Sequence, residues 1–204
     1  NLTNGTGTEA SANLLDVVGS DPDVDITISD NDGTAITAVE LKSVGGATLG
    51  TVTVTNAVAI TGTTADMTAA LVTAGTLVEV SDAAVTITNT PTIAELNAIA
   101  AKTTGVVTAT LAADSLANLG ALTTAGTDVI TITVNDDDAA AVTAANLSTL
   151  GGKTAGTVTV TNAVAITGTT AEVTAALVTA GTLVVVSDAA VTITNTPTIA
   201  ELNA

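Results

Sequence analysis

The chain has 204 residues with 20 acidic and three basic side chains, a net charge of −17, and no aromatic residue, histidine or cysteine. Without imidazole or thiol it lacks the usual nucleophile–base pairs and soft metal ligands, so we expect that it is not an enzyme. The negative charge and the absence of stacking side chains argue against nucleic acid as a partner. No run approaches the roughly 20 apolar residues of a membrane span, so membrane insertion is not expected.

An internal repeat dominates the sequence. Residues 51–98 recur as residues 157–204, an offset of 106, with three differences in 48 positions. The same offset relates Gly45-Gly46 to Gly151-Gly152. We therefore predict that residues 1–50 end one repeat, residues 51–156 form a complete repeat, and residues 157–204 begin the next.

Alternation of apolar residues with threonine predicts half-buried strands in chain order. Thr51, Thr53 and Thr55 are expected to face outward from the first of them. The residues predicted to face inward are Val52, Val54, Val58 and Ile60, then Val85 and Ile87, then Ile130, Ile132 and Val134.

Apolar residues spaced three or four apart predict a short amphipathic helix after each strand. The sets are Met67 and Leu71; Ile93, Leu96 and Ile99; Leu116, Leu119 and Leu122; and Val142, Leu147 and Leu150. Thr92 with Glu95 has the spacing of a capping box, and Asp114 and Asp138 are predicted N-caps. The predicted helix stops are Gly75, Gly105, Gly126 and Gly151.

These signals divide one repeat into units at 51–76, 77–105, 106–127 and 128–156. A unit of this length cannot enclose a core alone and must stack on its neighbours. The predicted fold is mainly β with short helices, a tandem-repeat β-solenoid. The alternative is a pair of tandem β-rich domains.

Two acidic clusters are candidate calcium sites, because carboxylate and amide oxygens in turns are the ligands that calcium prefers. Their residues are Asp30, Asn31 and Asp32 in one repeat and Asp136, Asp137 and Asp138 in the next, with Asp21, Asp23 and Asp25 preceding the first. The alternative is that these side chains only bond backbone amides at strand and helix ends. No cofactor is required in either case.

Threonines on the outward strand faces offer a second candidate surface. If the strands stack in register, the hydroxyls form a flat face like that of ice-binding β-solenoids; the alternative is that threonine is used as a water-tolerant β-former. The set comprises Thr51, Thr53, Thr55, Thr86, Thr88, Thr108, Thr110, Thr131, Thr133, Thr157, Thr159 and Thr161.

The strand-then-helix segment at residues 85–98, Val-Thr-Ile-Thr-Asn-Thr-Pro-Thr-Ile-Ala-Glu-Leu-Asn-Ala, resembles repeat regions of very large secreted bacterial surface proteins. Those include adhesin-like and calcium-associated exoproteins of proteobacteria and cyanobacteria. The resemblance implies an extracellular or cell-surface location and an adhesive or scaffolding role.

The leading functional prediction is a structural repeat segment of a long extracellular surface protein or filament. The alternative is a binding module, for calcium-dependent adhesion or for ice. Both ends of the sequence carry ordinary repeat sequence, so we expect the chain to associate with itself by head-to-tail stacking or to belong to a longer array.

Overall fold

Short strands and short helices alternate along the chain in the computed structural model, which describes residues 2–3, 23–182 and 184–203. The strands are β1 Leu2–Thr3, β2 Ile26–Ile28, β3 Ala35–Thr37, β4 Val52–Val54, β5 Ala59–Gly62, β6 Val78–Val80, β7 Ala84–Ile87, β8 Val107–Thr110, β9 Val129–Val134, β10 Ala141–Thr143, β11 Val158–Val160, β12 Ala165–Gly168, β13 Val184–Val186 and β14 Ala190–Ile193. The helices are α1 Ala38–Gly45, α2 Thr64–Leu71, α3 Ile93–Ala100, α4 Leu116–Leu119, α5 Ala144–Gly151, α6 Thr170–Leu177 and α7 Ile199–Leu202, and 3-10 turns lie at Ala74–Thr76 and Ala180–Thr182.

The helices contain about as many residues as the strands. The prediction of a mainly β fold is therefore wrong, and the fold is α/β with parallel sheets. The reason is visible at strand ends such as Thr37 and Thr143, where the last strand residue is also the N-cap of a helix. A threonine that suits the strand thus starts an eight-residue helix directly after it.

The chain divides into two compact units, Asn1–Ala109 and Thr110–Ala204. In the first unit, β1, β2, β4 and β6 form one sheet and β3, β5, β7 and β8 pair in that order in another. All of these pairings are parallel, and partner residues lie 22 to 26 positions apart. One ladder runs Ile26, Val52, Val78, and another runs Ile36, Ile60, Val85, Val107.

The second unit repeats this arrangement. Strands β9, β11 and β13 pair in parallel, as do β10, β12 and β14. Its ladders run Ile132, Val158, Val184 and Val142, Ile166, Val191. Strand, helix and 3-10 turn from β3 to Thr76 recur 106 residues later from β10 to Thr182, so the sequence period is also a period of secondary structure.

The division between the units falls at 109/110, whereas the sequence repeats divide at 50/51 and 156/157. The units are defined by contacts in space and the repeats by sequence similarity, so their boundaries need not coincide. The repeat boundaries remain a prediction.

The core of each unit lies between its two sheets and the helices. The residues predicted to face inward from the strands are buried, which confirms the period-two pattern; they are Val52, Val54, Val58, Ile60, Val85, Ile87, Ile130, Ile132 and Val134. Helices add Leu41, Met67 and Leu71 in the first unit and Leu119, Leu147 and Leu150 in the second. Complete burial of one such aliphatic side chain stabilises the folded state by about 1.5–3 kcal/mol.

Several local predictions are wrong. Val142 lies in strand β10 and not in a helix, Asp138 does not cap α5, which is capped by Thr143, and Asp114 does not cap α4, which is capped by Ser115. In these cases the helix begins later than the sequence pattern indicated.

The predicted stops Gly75, Gly105 and Gly126 lie beyond the helix ends, since α2 ends at Leu71, α3 at Ala100 and α4 at Leu119, which also leaves Leu122 outside α4. Gly151 is the last residue of α5, as predicted. The Thr92–Glu95 capping box is confirmed at the start of α3.

Candidate functional surfaces

The acidic turn after β2 is the first predicted calcium site. Asp30 is only 2% exposed, and its carboxylate oxygen Oδ1 is buried without a hydrogen-bond partner among the described residues. Asp32 is exposed, and its Oδ1 accepts a hydrogen bond from Ala57 N at 3.1 Å. Gly33 adopts a φ of 74° and donates its amide to Ala57 O at 2.8 Å. The turn is thereby fastened to the turn that lies about 25 residues later.

The equivalent turn after β9 has the same construction. Asp138 Oδ1 accepts from Ala163 N at 3.1 Å, and Asp137 is exposed. Asp136 Oδ2 accepts from the amide of Leu116, the first residue of α4, at 2.8 Å. Asp32 and Asp138 therefore hold a neighbouring turn, whereas Asp136 holds the start of a helix.

Calcium coordination needs several oxygen ligands around one point. Within the described part of the chain, no three acidic side chains are grouped so that they could hold a metal ion. Asn31 is exposed beside Asp30 and Asp32, and Asp21 lies outside the described residues. Calcium binding by these clusters remains a prediction; among the described residues, Asp30 Oδ1 is buried and has no hydrogen-bond partner.

The threonine rows differ between the two sheets of each unit. Thr27 and Thr53 pair in register, but Glu79 takes the next position; Thr133 and Thr159 are followed in the same way by Val185. Longer rows lie on the other sheets, where Thr37, Thr61, Thr86 and Thr108 pair in register, as do Thr143, Thr167 and Thr192. Sequence analysis had included Thr86 and Thr108 in the outward set and missed the other five. With Thr3, which pairs with Thr27, the row in the sheet of β2 is therefore three threonines long before it is interrupted, and the row in the sheet of β9, β11 and β13 is two.

Buried Thr-x-Gly turns form a recurring contact that sequence analysis also missed. Thr154 is 5% exposed, and its hydroxyl oxygen accepts from Ile130 N and Gly156 N, both at 2.8 Å. The same hydroxyl lies within donating distance of Ile130 O at 2.9 Å. One side chain thus satisfies groups on two segments that are separated by 24 residues.

The glycine of this turn has its own packing role. A Cβ at Gly156 would collide with the backbone oxygen of Ile130, so only glycine lets the two segments approach this closely. Equivalent turns occur at Thr48-Leu49-Gly50 and Thr103-Thr104-Gly105, whose threonine hydroxyls donate to Val24 O at 2.7 Å and Ala83 O at 2.6 Å. The recurrence of Thr-x-Gly was the available sequence signal.

Glutamate side chains complete several helix N-termini. In α3, hydrogen bonds from the Thr92 side chain and backbone hold the pKa of Glu95 below its usual value. In α6, the backbone and side chain of Thr169 lower the pKa of Glu172 in the same way. These carboxylates therefore stabilise the helices while they are ionised.

An open concavity of about 330 Å³ lies beside α4 and includes Lys153 in its lining. The Lys153 ammonium group donates to Gly120 O at 2.8 Å and to Leu122 O at 2.5 Å. These bonds satisfy carbonyls at the end of a helix, where a cation is favourable. Lys153 therefore stabilises the C-terminal end of α4.

Comparisons with known protein families, with curated proteins and with solved structures find no match. In the described residues no helix has both the length and the apolar character to cross a membrane.

Proposed function

We propose that the chain is a structural repeat segment of a long extracellular surface protein or filament, in which strand-and-helix coils stack as a β-solenoid. The observation that carries this proposal is the parallel, in-register pairing of like residues at separations of 22 to 26 residues in both units. Each coil contributes one strand to a ladder and receives its hydrogen bonds from the neighbouring coils. Repetition of one such contact builds length, which is the property a structural segment needs.

The side-chain chemistry supports the same proposal. Charged residues are few, at 11%, and the described acidic groups with lowered pKa values act at helix caps or, for Asp66, in an ion pair with Lys42 at 2.7 Å. Polar groups such as Thr154 and Asp138 are used to fasten one turn to the next. Interactions of this kind hold successive segments of a repeat array together.

Oriented diffraction tests the proposed stacking. An aligned sample should give a reflection at about 4.8 Å along the long axis, since hydrogen-bonded strands have that spacing and would follow one another along it. Immunogold labelling of intact source cells, with permeabilised cells as the control, tests the location. An unorientable sample with particles of globular outline, or label confined to the cell interior, would count against the proposal.

Calcium binding is a second candidate function because the Asp30 carboxylate keeps a buried oxygen without a partner among the described residues. A cation at this oxygen would offset the cost of burying it. Millimolar calcium should then raise the melting temperature, and Asp30→Asn should abolish that rise while the exposed Asp82→Asn retains it. An identical response of all three proteins to calcium and to chelator would remove this candidate.

A further inference from the structure

The acidic turn after β2 contains the dipeptide Asp32-Gly33, and an aspartate followed by glycine occurs nowhere else in the chain. Both residues are exposed, and nothing lies within 4 Å of the place that a Cβ at Gly33 would take. Glycine has no side chain that could cover its own amide nitrogen. Residue 33 therefore offers no steric protection of this nitrogen against the carboxyl group of Asp32.

Two hydrogen bonds to Ala57 engage both of these groups. Gly33 N donates to Ala57 O at 2.8 Å, and Asp32 Oδ1 accepts from Ala57 N at 3.1 Å. We call this pair of bonds the Ala57 joint. While the joint is closed, the nitrogen and the carboxyl group are each bonded to Ala57, so a reaction between them requires that the joint opens first.

The equivalent turn in the next repeat has the same two bonds but no glycine. Asp138 Oδ1 accepts from Ala163 N at 3.1 Å, and Ala139 N donates to Ala163 O at 2.9 Å. Ala139 has a φ of 61°, close to the 74° of Gly33, so alanine is accommodated at this place in the turn. The chain therefore carries its own control, a turn of the same construction in which a methyl group stands next to the amide nitrogen.

We propose that the Asp32–Gly33 bond is a site of spontaneous isomerisation to isoaspartate, and that the Ala57 joint controls its rate. Gly33 N attacks Cγ of the Asp32 carboxylic acid, and the hydroxyl oxygen of that acid leaves as water with the amide proton. The product is a five-membered succinimide ring. Water then adds to its main-chain carbonyl and breaks the original peptide bond, which leaves the chain linked through Cγ. The water released in the first step balances the water consumed in the second, so no other reactant is needed.

The isomerised chain does not restore the Ala57 joint. Its main chain is longer by a methylene group between residues 32 and 33, and its free carboxylate is attached directly to Cα. The spacing by which Asp32 Oδ1 and Gly33 N meet the two backbone groups of Ala57 is therefore lost. The joint lies directly before the pairing of β3 with β5, so each event permanently loosens the contact between these two neighbouring segments.

Labelling with an isoaspartate-specific methyltransferase, followed by peptide mapping, measures the reaction in the intact chain during prolonged incubation at near-neutral pH. In guanidinium chloride, where the joint is absent, isomerisation at Asp32 should be at least about tenfold faster than at Asp138. In the folded protein it should be at least about tenfold slower than in guanidinium chloride, because only the transiently opened turn reacts. Gly33→Ala is the matched variant and should reduce the rate at Asp32 in guanidinium chloride to that at Asp138.

Mass spectrometry separates this reaction from deamidation of a neighbour such as Asn31, since deamidation raises the mass and isomerisation does not. Absence of isoaspartate at Asp32 in guanidinium chloride, or equal rates at Asp32 in the folded and unfolded chain, would overturn the proposal. The isomerised protein, isolated after incubation, should melt at a lower temperature than the unmodified protein. An unchanged melting temperature would show that the modification does not loosen the joint.

Discussion

Replacement of Thr154 by valine tests whether the Thr-x-Gly turns hold the segments together. The substitution keeps the shape of the side chain but removes the oxygen that accepts from Ile130 N and Gly156 N, both at 2.8 Å. Thr154 is 5% exposed, so water does not readily replace the hydroxyl. Each buried donor left unpaired costs about 1–3 kcal/mol, and Thr154→Val should therefore lower the free energy of unfolding by about 2–4 kcal/mol.

Urea unfolding followed by far-ultraviolet circular dichroism measures this loss, since the chain has no aromatic residue for fluorescence. Thr159→Val is the control, because Thr159 is half-exposed on a sheet face and its replacement should change stability by no more than about 0.5 kcal/mol. Thr154→Ser should keep most of the wild-type stability because it retains the hydroxyl. A loss at Thr154→Val no larger than at Thr159→Val would refute the reasoning.

Three further perturbations follow from the same structure. Gly156→Ala should destabilise by about 2–4 kcal/mol in urea unfolding, since its Cβ meets a backbone oxygen, whereas Gly181→Ala, with open space around it, should be close to neutral. Ala139 has a φ of 61°, so Ala139→Gly should raise the melting temperature through a gain of up to about 1 kcal/mol; a decrease would contradict the strain argument. The lowered pKa of Glu172 means that its stabilising contribution is present above the pKa of the unfolded chain and is lost as pH falls through the lower folded value. Glu172→Gln should therefore remove part of the acid-induced loss of stability, which urea unfolding at a series of acidic pH values would detect; an unchanged pH profile would show that the carboxylate is not coupled to folding.

The strand faces were predictable because alternation is a local property. Val52, Val54 and Ile130 could be assigned to the core from their immediate neighbours, and the structure buries all three. The Thr92–Glu95 box was predictable for the same reason, since both partners lie within four residues. The balance of helix and strand was not, because a threonine such as Thr143 ends a strand and caps a helix at one position.

The candidate sites could be predicted from the sequence only in part. Sequence analysis placed acidic residues in turns, but the partner of Asp138 is the amide of Ala163, 25 residues away. The partner of Thr154 lies at a comparable distance in sequence. Such contacts depend on the register between paired strands, and register cannot be obtained from one strand alone. Only the recurrence of a short pattern at the repeat spacing could have indicated them.

The short spacing of the ladders also governs how the chain acquires its structure. Every strand pair described within a unit joins residues no more than 26 positions apart, in a chain of 204. Formation of one such pair closes only a small loop, so little chain entropy is lost before hydrogen bonds and apolar contacts are gained. Any pair of adjacent strands can then act as a folding nucleus, to which the next strand of the same sheet is added. Newly synthesised strands can consequently become structured while the rest of the polypeptide is still being made.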